Sequence, residues 1–184
     1  MKTRFLARKI DYDGTQLSSH WAYRTCGLLG DSAVAFIGGC NVSLDHMVDL
    51  ADVKRRAPIF SRRMLHFIVE HFDTDLGKAV LRQRFLAQLV CDELVARTRR
   101  DLRRDGDDLY DGEAKLSVSI ATASPVSTLI HFGINIDSRD TPVETRGLKD
   151  YRVQPRSFAR DVLWRYAAEL ASMAEARCKV RGVP

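Results

Sequence analysis

Asp107 and Asp108 stand side by side behind Gly106. Two adjacent carboxylates at a turn either hold Mg²⁺ beside a nucleotide phosphate or cap the turn. Asp31 follows Gly30 and precedes the apolar run Ser32–Ile37. A carboxylate at the mouth of a buried strand is costly unless partnered, so Asp31 is either a cap or a ligand contact. His20, Trp21 and Tyr23 could stack on a planar ring such as a base or pterin, although aromatic residues in a short helix more often belong to the core. His66, Glu70 and His71 are off by one from the H-x-x-E-H zinc pattern. On a strand His66 and Glu70 share one face and His71 takes the other, so the trio reads as half-buried polar strand residues rather than a metal site.

The elements that must position these groups are written in the hydrophobic pattern. Arg4–Ile10 reads as an edge strand leading into the turn Asp11–Gly14, and Leu17–Tyr23 as a short helix capped by Ser18 or Ser19. Ser32–Ile37, ending at Gly38 and Gly39, suits a buried strand, and Val42–Val48 a strand edge or loop. Met64–Phe72 is rich in strand formers. From Leu76 to Arg100 the period becomes helical, with Leu76, Val80, Leu81, Phe85, Leu86, Leu89, Val90, Leu94 and Val95 at three- and four-residue steps, and Thr74 or Asp75 as the N-cap. Leu109–Tyr110, the bend Asp111–Gly112 and Lys115–Ala123 predict a hairpin. Ser127–Asp137 is another buried strand, and Ser157–Lys179 a closing helix. Strands with one long helix between them and another at the end predict an α+β fold, a mixed, mostly antiparallel sheet with packed helices.

Composition bounds the function. The 184 residues are 45% hydrophobic and 29% charged, an ordinary globular mix read as a single domain, 1–184. No apolar run approaches the roughly 20 residues that span a bilayer, and MKTRFLARKIDYDG lacks an apolar stretch of signal length, so a cytoplasmic protein is expected. Cys26, Cys40, Cys91 and Cys178 are scattered and form no C-x-x-C pair, which suits free thiols in a reducing compartment. A net charge of +5 favours phosphate-bearing partners without establishing them.

Two resemblances extend this reading. Over nearly its full length the chain resembles the family called domain of unknown function 366, through Leu17–Trp21, Gly27–Gly39, Met64–Phe72 and Gly133–Asp137. Residues 62–137 resemble the catalytic core of biotin and lipoate protein ligases and octanoyltransferases, whose P-N-D-L-Y-like turn, K-L strand and G-x-N strand are matched by Gly106–Tyr110, Lys115–Leu116 and His131–Ile136. The resemblance implies a ligase-like, class II synthetase-like fold. It also implies Lys115 at the reacting carboxyl group, where an ammonium offsets developing charge, and Asp108 on Mg²⁺ with ATP. Asp107, Gly133, Asn135, His131, Asp31 and His20 complete the expected ligand-binding set. Gly133 would admit close backbone approach.

The sequence departs from these relatives in two places. No Gly/Arg-rich loop resembles the ligase adenylate clamp, Gly38–Gly39 having no adjacent arginine, and Pro142–Lys149 contains no transferase cysteine. The expectation is therefore a small-molecule protein on a ligase-like scaffold, with acyl or nucleotidyl transfer as its chemistry if the ancestral reaction survives. A nucleic-acid-associated protein acting in RNA modification is the alternative, resting on Lys54–Arg56 and the arginines from Arg97 to Arg104, and a non-catalytic dimerisation module is a third. A homodimer is expected if a sheet edge is exposed.

Overall fold

The computed structural model describes residues 1–57, 59–139, 141 and 143–183. The strand β1 (Lys2–Phe5) is followed by an irregular segment, the short helix α1 (Trp21–Cys26) and β2 (Ser32–Val42). A 3-10 turn (Leu44–His46) and helix α2 (Leu50–Arg55) lead to β3 (Ile59–His71) and the long helix α3 (Leu76–Thr98). Three short strands, β4 (Arg103–Asp105), β5 (Asp108–Asp111) and β6 (Ala114–Lys115), form a small antiparallel sheet. β7 (Ser117–Ala123) and β8 (Thr128–Asp137) return to the main sheet, and α4 (Pro155–Ala176) closes the chain. The main sheet has the order β1-β2-β3-β8-β7, with β1 and β2 parallel and every other pair antiparallel.

Alternation along the strands divides two cores. Ala33, Ala35, Leu65, Phe67, Val69, Ile130, Phe132 and Ile134 face α3 and α4 and bury their apolar surface there. The intervening Phe36, Met64 and Ile68 point the other way and pack with Tyr12, Val42 and Met47. The second face carries no long helix, so the irregular N-terminal segment and α2 cover it incompletely. Space for a ligand arises there.

Several sequence-based boundaries move, each for a tertiary reason. The N-terminal strand stops at Phe5 because the chain then rides over Gly38, where an added Cβ would meet the Ile10 carbonyl oxygen at 1.8 Å. α1 begins at Trp21 rather than Leu17. Its first residues are held by His20, in the left-handed conformation at φ 60, whose N–H donates to Glu70 Oε1 at 2.8 Å. The acidic stretch after Val42 contains a helix, α2, capped by Asp49, which accepts from the N–H of Ala51 and Asp52. Asp75 caps α3 through the N–H of Lys78. The α3 face that packs carries the small Ala79 and Ala87 with Leu86, Val90 and Leu94, and it leaves Leu76 and Leu81 exposed, because small residues let the helix approach the sheet. The tail helix ends at Ala176. The expected strand from Lys115 to Ala123 is two strands, with Lys115 in the small sheet and Ser117 onward in the main one. No helix is long and apolar enough to cross a membrane among the described residues.

Candidate functional site

β3 and β8 build the floor of a cavity of about 430 Å³ on the face opposite α3 and α4. That volume lies within the range of small-molecule pockets, about 300 to 1,000 Å³. His131, Gly133 and Asn135 alternate on one face of β8. A register shift between Arg63 and Met64 sets Met64 opposite Asn135, and such bulges re-aim side chains beside sites. Ser61 Oγ donates to Asn135 Oδ1 at 2.9 Å, which leaves the Asn135 amide N–H groups to the cavity. A Cβ on Gly133 would lie 2.9 Å from Met64 Cε and 3.3 Å from His131 Cε1, so the absent side chain makes room for both.

His131 is the centre of a ring stack. The Tyr12 ring lies parallel to it, centroids 3.8 Å apart and planes 8° apart, and His66 Nδ1 is 3.1 Å from His131 Nε2. One ring nitrogen of that pair must donate and the other accept, so the two imidazoles have linked tautomers. Burial pushes the His66 imidazolium down to about 4, against the pull of the Gly38 and Gly39 backbone and of Asp11. Burial, with His66 adding repulsion, lowers His131 well below the ordinary histidine value. Both rings are neutral at physiological pH. Burial also raises the Tyr12 phenol, so Tyr12 stays protonated.

The small sheet supplies the charged wall. Gly106 at φ 61 and Asp107 form the bend between β4 and β5, which places Asp107 and Asp108 at the cavity. Lys115 on β6 pairs with Tyr110, and its backbone also bonds Glu144 and Arg146, so the strand is held on both sides. Lys115 Nζ lies 2.6 Å from Asp108 Oδ2, with the side chains 30% and 21% exposed. Burial opposes the ammonium, but the hydrogen bond and charge of Asp108 outweigh it and hold Lys115 above its ordinary value. Burial lifts the Asp108 carboxyl, against the pull of Lys115, with Asp107 and Asp52 adding repulsion. Asp108 Oδ1 is sealed from solvent and has no hydrogen-bond partner among the described residues. Gln83 of α3 reaches through to donate to Asp107 Oδ2 at 2.6 Å and to Ser119 Oγ at 3.0 Å, which fastens the bend to the main sheet. Ser117 Oγ accepts from the Leu109 N–H at 2.9 Å and does the same for β5.

Asp49, Asp52 and Arg55 of the α2 region form the third wall, and Met47, Val48, Phe60 and Val143 add apolar surface at the mouth. Of the residues singled out in the sequence, Lys115, Asp107, Asp108, His131 and Asn135 line this one cavity, and Gly133 lies in its floor between the last two. Asp31 and His20 stand apart. Asp31 accepts from the Phe72 N–H and from His71 Nδ1, 3.2 Å away, and His71 Nε2 meets the Tyr166 hydroxyl at 3.1 Å. His20 packs its ring edge against Phe72, centroids 5.0 Å apart. On β3 His66 joins His131, Glu70 holds His20 and Ser127, and His71 turns to the opposite face. Among the described residues no three His, Cys, Asp or Glu side chains converge as a metal set.

The basic cluster lies at the surface, with Arg99, Arg100, Arg103 and Arg104 exposed, and several of its members are paired within the chain. Arg97 binds Glu93 and Asp161, Arg103 binds Asp105, and Arg104 donates to Gln88. Sequence reasoning missed Tyr12, Ser61, Gln83 and Asp52. Tyr12 lay in what read as a turn, and Gln83 lay outside the apolar stripe read for its helix. Only Asp52 left a signal, as an acid three residues after the capping Asp49.

The family described as Domain of unknown function (DUF366) matches residues 1–181. Protein MJ0805 of Methanocaldococcus jannaschii is 38% identical over 177 residues, covering 92% of this chain and 80% of that one. A solved structure described as a protein of unknown function from Pyrococcus horikoshi is similar at TM-score 0.93 and 37% identity, over 100% of this chain and 99% of its own. The biotin protein ligase of Aquifex aeolicus, in complex with biotin and ATP, is similar at TM-score 0.63 and 16% identity, covering 95% of this chain and 72% of that one. At that identity the likeness shows a shared fold, as the ordered motifs from Gly106 to Ile136 led one to expect.

Proposed function

We propose, from the premise that this chain belongs to the DUF366 family and has the biotin/lipoate protein ligase fold, that its cavity binds a small carboxylate- or purine-like ligand between Lys115 and Asn135. The observation that carries this reading is that Lys115 and Asn135, on strands of two different sheets, line one cavity of about 430 Å³. Lys115 has N–H donors beyond the one given to Asp108, and Asn135 adds an amide donor, so a ligand carboxylate can be held from two sides. Neutral His131 and Tyr12 offer a flat floor against which a planar ring can lie.

Acyl or nucleotidyl transfer is the reaction class this arrangement suits. The adjacent carboxylates of Asp107 and Asp108 at the cavity wall would suit Mg²⁺, which binds through one or two carboxylates together with substrate phosphates. Bound ATP would supply the electrophilic phosphate. The chain's own groups do the rest: Lys115 draws the carboxylate in and offsets charge as it builds, and Ser61 keeps the Asn135 carbonyl occupied so that its N–H groups face the ligand. The protein is taken to act as one domain, in the cytoplasm and as a homodimer; the four free cysteines suit that location.

Titration calorimetry with ATP, biotin, lipoate and an acyl nucleotide tests the proposal. At least one should bind the wild type and lose tenfold or more in affinity to Lys115→Ala. Absence of binding by all four would remove the ligase-like reading.

A further inference from the structure

The charges around the cavity do not balance. Among the described residues it is lined by the carboxylates of Asp49, Asp52, Asp107 and Asp108, and by two permanently positive side chains, Lys115 and Arg55. Lys115 is matched by Asp108 at 2.6 Å. Arg55 is 3.9 Å from Asp52 and 71% exposed, a distance and a wetness at which an ion pair contributes little. Asp49 spends one oxygen on the N–H groups of Ala51 and Asp52, and Asp107 receives only the neutral amide of Gln83. The cavity therefore presents uncompensated negative charge beside a single lysine.

Two further observations point to an occupant. Asp108 lines the cavity, and among the described residues nothing donates to its buried Oδ1. Asn135 is 5% exposed, lines the same cavity, and has no protein group accepting from its amide nitrogen among the described residues. An unmet acceptor on Asp108 and unmet amide donors on Asn135 belong to residues that line one cavity. A plain monocarboxylate answers only the second and is repelled by the first.

We infer that the ligand is amino-acid-like in charge, with a carboxylate seated at Lys115 and Asn135 and a primary ammonium seated between Asp52 and Asp108. The inference rests on the proposed pocket and narrows its ligand class. Asp52 lies on α2, which has no fully buried residue, so replacing it with Asn should remove no core packing. It is also the one carboxylate of the four whose hydrogen bonds bind no other part of the site.

The test uses 6-aminohexanoate, hexanoate and hexylamine as matched probes, with dissociation constants measured by ligand-observed NMR at pH 7.5 in EDTA, so that no divalent ion supplies the positive charge. 6-Aminohexanoate should bind about tenfold more tightly than hexanoate, the scale of one ion pair in a partly wet site. In Asp52→Asn that advantage should fall below about threefold. A wild-type advantage under threefold, or one unchanged by Asp52→Asn, overturns the inference while leaving a carboxylate pocket intact. If none of the three probes binds, the pocket reading falls with it.

Discussion

Lys115 Nζ and Asp108 Oδ2, 2.6 Å apart on neighbouring strands of the small sheet, form an ion pair in which, among the described residues, only one of the two carboxylate oxygens is satisfied. The pair is anchored from behind, because Ser117 holds the β5 backbone and Gln83 holds Asp107. In the proposed function a ligand engages this half-satisfied pair at the cavity wall.

Removing Lys115 should therefore affect stability as well as binding. Lys115→Ala strands a half-buried carboxylate, and the cost at pH 7 should be about 1–2 kcal/mol after allowance for the remaining exposure of both groups. The Asp108 carboxyl, already above its ordinary value in the wild type, rises further without the lysine. An acid with a raised folded-state value is destabilising above its unfolded value, and that penalty is relieved as pH falls through the raised one. Urea titrations at pH 7 and pH 5 should show the Lys115→Ala deficit shrinking on acidification. A deficit that grows would contradict the assignment.

The histidines predict the opposite trend for the whole protein. His66 and His71 are pushed down to about 4 by burial, and His131 is lowered by burial and by His66. A base with a depressed folded-state value takes up its proton first in the unfolded chain, so stability present above about 6.5 is lost as pH falls towards 4. Each such group contributes up to about 1.4 kcal/mol per pH unit in that window. Stability should drop by at least that slope between pH 6.5 and 4.5. A flat profile there would mean that these rings are not buried and neutral.

Two glycines separate tolerable from intolerable crowding. At Gly38 a Cβ would meet the backbone oxygen of Ile10 at 1.8 Å, and backbone cannot step aside, so Gly38→Ala should cost about 3 kcal/mol or more and lift Tyr12 from His131. At Gly133 the nearest obstacle is the terminal methyl of Met64, which is flexible. Gly133→Ala should cost about 1 kcal/mol yet reshape the cavity floor. Thermal unfolding of both variants gives the comparison, and equal losses would contradict it.

Ser61 is expected to matter only through Asn135. Ser61→Ala leaves the buried Asn135 Oδ1 without its 2.9 Å donor, at a cost of about 1–2 kcal/mol, and frees the amide to turn. Ligand affinity should fall in Ser61→Ala, and a double mutant with Asn135→Ala should lose little more. Additive losses would show that Ser61 acts on its own.

What could be read in the sequence follows from where each signal resides. β2 carries apolar residues on both faces and β8 is buried along nearly its whole length, and a run of that kind announces a buried strand. α2 gave no such signal, since Leu50 is 81% exposed and the helix rests on its cap rather than on a buried stripe. The crossing of the chain from the small to the main sheet between Lys115 and Ser117 leaves no mark in the run Lys115–Ala123, because tertiary pairing with Tyr110 and Thr145 decides it. The site was legible through the ordered residues from Asp107 to Asn135. Tyr12 and Gln83 were not, because their roles depend on neighbours more than twenty residues away.

The most direct test of the central claim is a crystal structure of the protein with the tightest-binding compound among the carboxylates and nucleotides tried. The account predicts density for that compound in the cavity, with polar atoms within hydrogen-bond distance of Lys115 and Asn135. A compound bound elsewhere, with affinity undiminished in Lys115→Ala, would contradict it.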